Sequence, residues 1–184
     1  MRRALCPLAL LLALAGCTSA SPAPAGVPAP PAASAPAGPV GGLRIPAIGV
    51  DVDTLVPLGL DERGAHEVPP DDTPEVAGYY TLGPAPGDDG PAIILGHVNG
   101  RGRAGVFARL HELQPGDRIV VGRGGGEVGF VVDAVTQAPK TDFPVALVYG
   151  PVSRPELRLI TCGGALDRAA HSYLDNIIVT AHRA

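Results

Sequence analysis

The chain has 184 residues, a formal net charge of −4, no Trp and only 4% aromatic residues. Its mildly acidic balance, with no run of basic residues, excludes nucleic acid as a partner. Past an apolar and then Pro-rich N-terminal region, the length left is enough for one domain with a single core.

The sequence opens Met1-Arg2-Arg3 and is apolar from Ala4 to Ala15. A positive start followed by about a dozen apolar residues predicts an export signal. The run is short of the roughly 20 residues that a membrane span needs. Its end, Leu14-Ala15-Gly16-Cys17, resembles the bacterial lipoprotein signal, whose cysteine is acylated and becomes the new N-terminus. Ordinary cleavage near Ala20 and an uncleaved N-terminal anchor are the alternatives. The expectation is a signal over 1–17, with acyl chains on Cys17 holding the protein on the outer face of the bacterial cytoplasmic membrane. Residues 18–42 are almost entirely Ala, Pro, Gly and Ser, without charge or aromatic side chains. Such a composition buries too little apolar surface to offset its ordering entropy, so a semi-rigid, disordered tether is predicted.

From 43 to 184 short β-type runs dominate, at 43–48, 50–55, 92–95, 118–121, 129–134, 157–161 and 177–181. Several are rich in Val and Ile, and Gly or Pro separates them. The run Gly122-Arg123-Gly124-Gly125-Gly126 lies between two of them and predicts a hairpin turn. Helical signals are limited to 105–113 and 143–149, the second opening after Asp142 with Pro144 near its first turn. Many short strands and few helices predict a β-barrel or sandwich.

Two strand ends carry chemistry. His97 follows the apolar run Ala92-Ile93-Ile94-Leu95 and Gly96; Cys162 ends the run 157–161 and is followed by Gly163-Gly164. With Cys6 and Cys17 in the signal, Cys162 has no disulfide partner in an exported domain. It is either a buried stray thiol or a nucleophile. A histidine and a cysteine at strand ends are the ingredients of thiol catalysis, although a lone histidine there is more often a turn residue. No close-spaced ligand pair suggests a metal, and no cofactor is implied. The Gly-rich run lacks the Lys-Ser/Thr of a phosphate loop, and no second cysteine makes a C-x-x-C redox pair.

Five stretches, in order, resemble the sortase family: Leu43-Arg44-Ile45-Pro46-Ala47-Ile48-Gly49-Val50, Pro86-Gly87 through Gly96-His97-Val98, Gly105-Val106-Phe107-Ala108-Arg109-Leu110, Gly116-Asp117-Arg118-Ile119 and Leu159-Ile160-Thr161-Cys162. Thr161-Cys162-Gly163-Gly164, followed by Tyr173, Asp175 and Asn176, is similar to the class F sortases of actinobacteria. The resemblance implies an all-β, eight-stranded barrel with one or two short helices or 3-10 turns. It also implies a cysteine transpeptidase that cleaves a Leu-Pro-x-Thr-Gly-like sorting signal near the C-terminus of secreted proteins. The acyl group then passes to an amine, often of a peptidoglycan precursor. By the same resemblance Cys162 is the nucleophile and His97 the general acid/base. Arg158 and Ile160, on the Cys162 face of the strand, are expected in the substrate groove.

The sequence departs from the family in two places. The arginine that many sortases carry before the last strand is replaced by Asn176, which leaves Arg168 as the expected stabiliser, with Arg158 and Asn176 as alternatives. Sortases usually carry a membrane-spanning anchor, where this chain has the lipoprotein-like signal. Two other readings stand beside the transpeptidase. One is a non-catalytic, sortase-like surface lipoprotein that binds peptide or cell wall. The other is an L,D-transpeptidase, which is disfavoured because no Ser-His-Gly precedes Cys162.

Overall fold

The computed structural model describes residues 37–184. The expected signal, with Cys17, and most of the expected tether lie outside them. Eleven strands follow in chain order: β1 (Val40–Ile45), β2 (Val50–Val52), β3 (Val56–Leu58), β4 (Ala77–Tyr80), β5 (Gly90–Gly96), β6 (Asn99–Gly100), β7 (Arg103–Ala104), β8 (Arg118–Arg123), β9 (Gly126–Pro139), β10 (Pro155–Asp167) and β11 (Ser172–Arg183). One short helix, α1 (Val145–Tyr149), and three single-turn 3-10 segments complete the fold. Among the described residues no helix is long and apolar enough to cross a membrane.

Nine strands form one curled sheet in the order β2-β1-β8-β9-β11-β10-β5-β4-β3, and β6 and β7 pair separately. The mostly-β expectation holds. The resemblance implies eight strands, and the main sheet has nine, counting the three-residue β2 and β3. β1 begins at Val40, inside the segment expected to be tether. Gly41 and Gly42 carry no side-chain pattern, yet their backbones lie close against Gly122 and Val52. The predicted hairpin forms between β8 and β9, with Gly124 and Gly125 both at positive φ, the conformation two-residue hairpin loops require.

Strand alternation sorts the side chains. Leu43, Ile45, Ile94, Phe107, Ile119, Val121, Phe130, Leu157, Leu159 and Val179 fill the inside of the curl. Full burial of each large side chain contributes about 1.5–3 kcal/mol. Outside the curl, Ile93, Ile160, Ile178, Ala138 and Val148 form a smaller cluster, with Phe143, Tyr80 and Leu95 packed against it. Val148 belongs to α1, so the helix seals part of the outer face.

Two pairings position the site. β5 and β10 run parallel, in a register that ends at Leu95 beside Ile160. Their C-terminal ends therefore reach the same rim. β10 and β11 are antiparallel, with Cys162 opposite Asn176. The expected strands around 92–95, 157–161 and 177–181 all form and extend further than predicted. β4, with only Ala77-Gly78-Tyr79-Tyr80, carried too weak a pattern to be read from sequence.

Candidate active site

The side chains around Cys162 follow from register. The β5–β10 pairing ends with Ile160 beside Leu95, and two residues further along each chain Cys162 and His97 line the same cleft. Across the antiparallel pair, directly opposite residues share a face with Cβ atoms about 4.5–5.5 Å apart. Asn176 therefore stands on the same side of the sheet as Cys162. All three residues line one cleft of about 360 Å³ at the rim, together with Ile160, Leu166, His171 and Tyr173.

The local sequence shapes each position. Gly96 lets the Val106-Phe107 turn close against the end of β5, where a Cβ would stand 2.6 Å from each of those side chains. The His97 carbonyl accepts a hydrogen bond from the Phe107 N–H at 3.0 Å. After Cys162 the ladder slips between Gly163 and Leu166. Gly164, at φ 74, sits there against the Asp175 carboxylate, which leaves no room for a side chain. The Gly-Gly that follows the cysteine is thus a bulge, which bends the strand just beyond the thiol.

Cys162 is a free thiol, partly exposed to the cleft. The His97 imidazole is mostly buried, and its Nε2 lies 2.7 Å from the Pro69 carbonyl oxygen and 3.5 Å from Asp71 Oδ1. The Asn99 side-chain amide donates to the Tyr173 hydroxyl at 2.6 Å, joining the β6–β7 hairpin to the β10–β11 hairpin. The Thr161 hydroxyl is buried and has no partner among the described residues.

The arginine candidates fall elsewhere. Arg168 lies exposed in the turn between β10 and β11, outside the cleft lining. Arg158 does share the Cys162 face of β10, but α1 covers that stretch. Its guanidinium donates to the Leu147 carbonyl of α1 at 2.9 Å and pairs with Glu156 at 2.6 Å, so it is buried and not part of the cleft. Of the two residues expected in the substrate groove, Ile160 lines the cleft and Arg158 does not. No group of His, Cys, Asp and Glu among the described residues is arranged to hold a metal ion.

Several cleft residues escaped the sequence reading. Pro69 and Asp71 lie in a loop, and Asp71 reads as a turn residue. His171 lies in the β10–β11 turn at a positive φ of 51. Only the Tyr173-Asp175-Asn176 spacing gave a signal, through the family resemblance.

The sortase domain profile matches residues 43–184. The chain belongs to the sortase family. Sortases are generally cysteine transpeptidases acting on proteins that bear sorting signals and on amine acceptors. Solved sortases share the fold. Sortase A of Corynebacterium diphtheriae, in a lid mutant, superposes with a TM-score of 0.58 at 22% identity, covering 79% of this chain and 69% of that one. Sortase C1 of Streptococcus agalactiae gives 0.60 at 20% identity, over 78% of this chain and 66% of that one. A Clostridium perfringens sortase D5 transpeptidase gives 0.56 at 18%, over 79% and 78%. No curated protein matches the sequence.

Proposed function

We propose that this sortase is a cysteine transpeptidase with Cys162 as nucleophile and His97 as general acid/base. It cleaves a Leu-Pro-x-Thr-Gly-like signal after the Thr. The observation that carries the reading is the shared cleft, in which strand pairing brings Cys162, His97 and Asn176 onto one face at the rim of the sheet.

The chemistry follows from the residue types. A free thiol ionises near 8.5, so about a few per cent is thiolate at neutral pH. A proton leaves Cys162 Sγ for the imidazole, and the thiolate attacks the Thr carbonyl carbon. The imidazolium then protonates the departing Gly nitrogen as the C–N bond breaks, leaving a thioester on Sγ. An incoming amine attacks that thioester, gives its proton to the imidazole and releases the thiolate. Asn176, facing the cleft opposite Cys162, takes the place of the stabilising arginine: its side-chain N–H donates to the oxygen that gains charge. This reading prefers Asn176 over Arg168 and Arg158, because only Asn176 lines the cleft.

The class F assignment, the lipid anchor at Cys17, the outer membrane face and a peptidoglycan-type amine acceptor belong to the same proposal. The Gly164–Asp175 contact and the Asn99–Tyr173 hydrogen bond give physical roles to residues that carry the class F resemblance. Mass spectrometry after incubation with a Leu-Pro-x-Thr-Gly peptide tests the core of the reading. A thioacyl adduct on Cys162 is expected, and the Cys162→Ala variant should form none. Cleavage by Cys162→Ala at the unmodified rate refutes the nucleophile assignment. A wild-type chain that binds the peptide without adduct or cleavage supports the non-catalytic binding protein instead.

A further inference from the structure

The loop before β4 reaches the rim beside His97. Pro69 is buried, and its carbonyl oxygen lies 2.7 Å from His97 Nε2. A carbonyl oxygen only accepts, so Nε2 must carry the proton in this contact. The other ring nitrogen, Nδ1, then holds the lone pair in the neutral imidazole. The Asp71 carboxylate stands 3.5 Å from the same Nε2.

The loop is braced to hold that arrangement. Pro70 follows Pro69, so the backbone torsions on both sides of the Pro69 carbonyl are restricted. Arg103 donates to the Asp72 carbonyl at 2.7 Å and pairs with Glu75. The Val106 N–H donates to the Pro74 carbonyl at 2.8 Å. Residues 69–75 are thereby fastened to the β6–β7 hairpin and the turn after it, the same unit that supports His97.

We propose that Pro69-Pro70-Asp71 is the positioning element for His97, fixing the proton on Nε2 so that Nδ1 is the atom that exchanges protons with Cys162 and the substrate amines. The proposal rests on the transpeptidase reading for its catalytic meaning. In acylation the Cys162 proton moves to Nδ1, and from Nδ1 to the leaving nitrogen; in transfer the acceptor amine returns a proton to Nδ1. Nε2 keeps its proton throughout. The Pro69 carbonyl and Asp71 face the side of the ring that is positively charged while Nδ1 is loaded. Asp71 is itself exposed, so its share is small.

Two measurements test this. Nitrogen-15 NMR of the His97 ring in the full chain, in its neutral form, should show a protonated Nε2 and an unprotonated Nδ1. The reverse pattern, or an even mixture, overturns the proposal. This readout needs no substrate, so it stands or falls separately from the transpeptidase reading. Asp71→Asn should slow thioacyl formation about fivefold, the upper end for an exposed charge pair, and Asp71→Glu should restore most of the rate. An Asp71→Asn variant acylated at the wild-type rate removes Asp71 from the element.

Discussion

The sharpest packing test of the site is Gly105→Ala. Gly105 lies against the backbone of the segment that carries His97, with its N–H donating to the Val98 carbonyl at 2.9 Å. A methyl group built on it would stand 2.6 Å from the His97 carbonyl carbon and 3.0 Å from that of Val98, and closer still to the His97 carbonyl oxygen. Carbon atoms rest at about 3.5–4.0 Å, so one backbone must retreat by about 1 Å. The obstacle is backbone on both sides, which no rotamer change relieves. Overpacking of this kind costs about 1–3 kcal/mol, or roughly 2–12 °C in Tm for a domain of this size. The larger effect falls on chemistry. A 1 Å misplacement of a catalytic group costs about 100-fold in rate. The assay is single-turnover thioacyl formation on Cys162, run well below the variant's Tm so that only folded protein is measured. A variant that keeps the wild-type rate and Tm would refute the claim that this backbone contact sets the position of His97.

Two further outcomes separate site from scaffold. Asn176→Ala should lower thioacyl formation about 100- to 1,000-fold, the usual effect of losing one oxyanion donor, while Arg168→Ala stays within about twofold; the opposite ranking in the same kinetic assay returns the stabilising role to Arg168. Glu156 tests the scaffold. Its partial burial pushes its acidity down, but hydrogen bonds from Arg154 and Arg158 outweigh that and hold its pKa below the usual carboxylate value. A depressed folded pKa means that the stabilisation is complete above the unfolded value of about 4.3 and is lost as pH falls through the folded one. Glu156→Gln should therefore lower stability at neutral pH and flatten the acid limb of a Tm-against-pH curve; an acid limb identical to wild type would show that Glu156 does not contribute to it.

Much of the scaffold was legible locally. Val/Ile-rich runs marked the middle of the long strands because β-branched side chains suit a pleated, half-buried surface. Gly124-Gly125 marked a hairpin because its loop needs positive φ. Strand ends were harder, since β10 runs on through Gly163 and Gly164 and β11 begins with mostly polar residues, positions that carry no apolar pattern. β1 was cut short for the same reason: Gly41 and Gly42 look like linker until the backbone of β2 and β8 lies against them.

The sequence alone determined that Cys162 has no disulfide partner within 43–184, that it ends an apolar strand, and that His97 ends another. Those are properties of composition and short-range pattern. Tertiary structure decided what stands beside the thiol. The parallel pairing of β5 with β10 carries both strand ends to one rim, and the register of β11 sets Asn176 opposite Cys162. It also set Arg158 under α1, Arg168 out in the turn, and the Pro69 carbonyl against His97. Strand neighbours and loop closure join residues far apart in the chain, and no local pattern encodes the register between them.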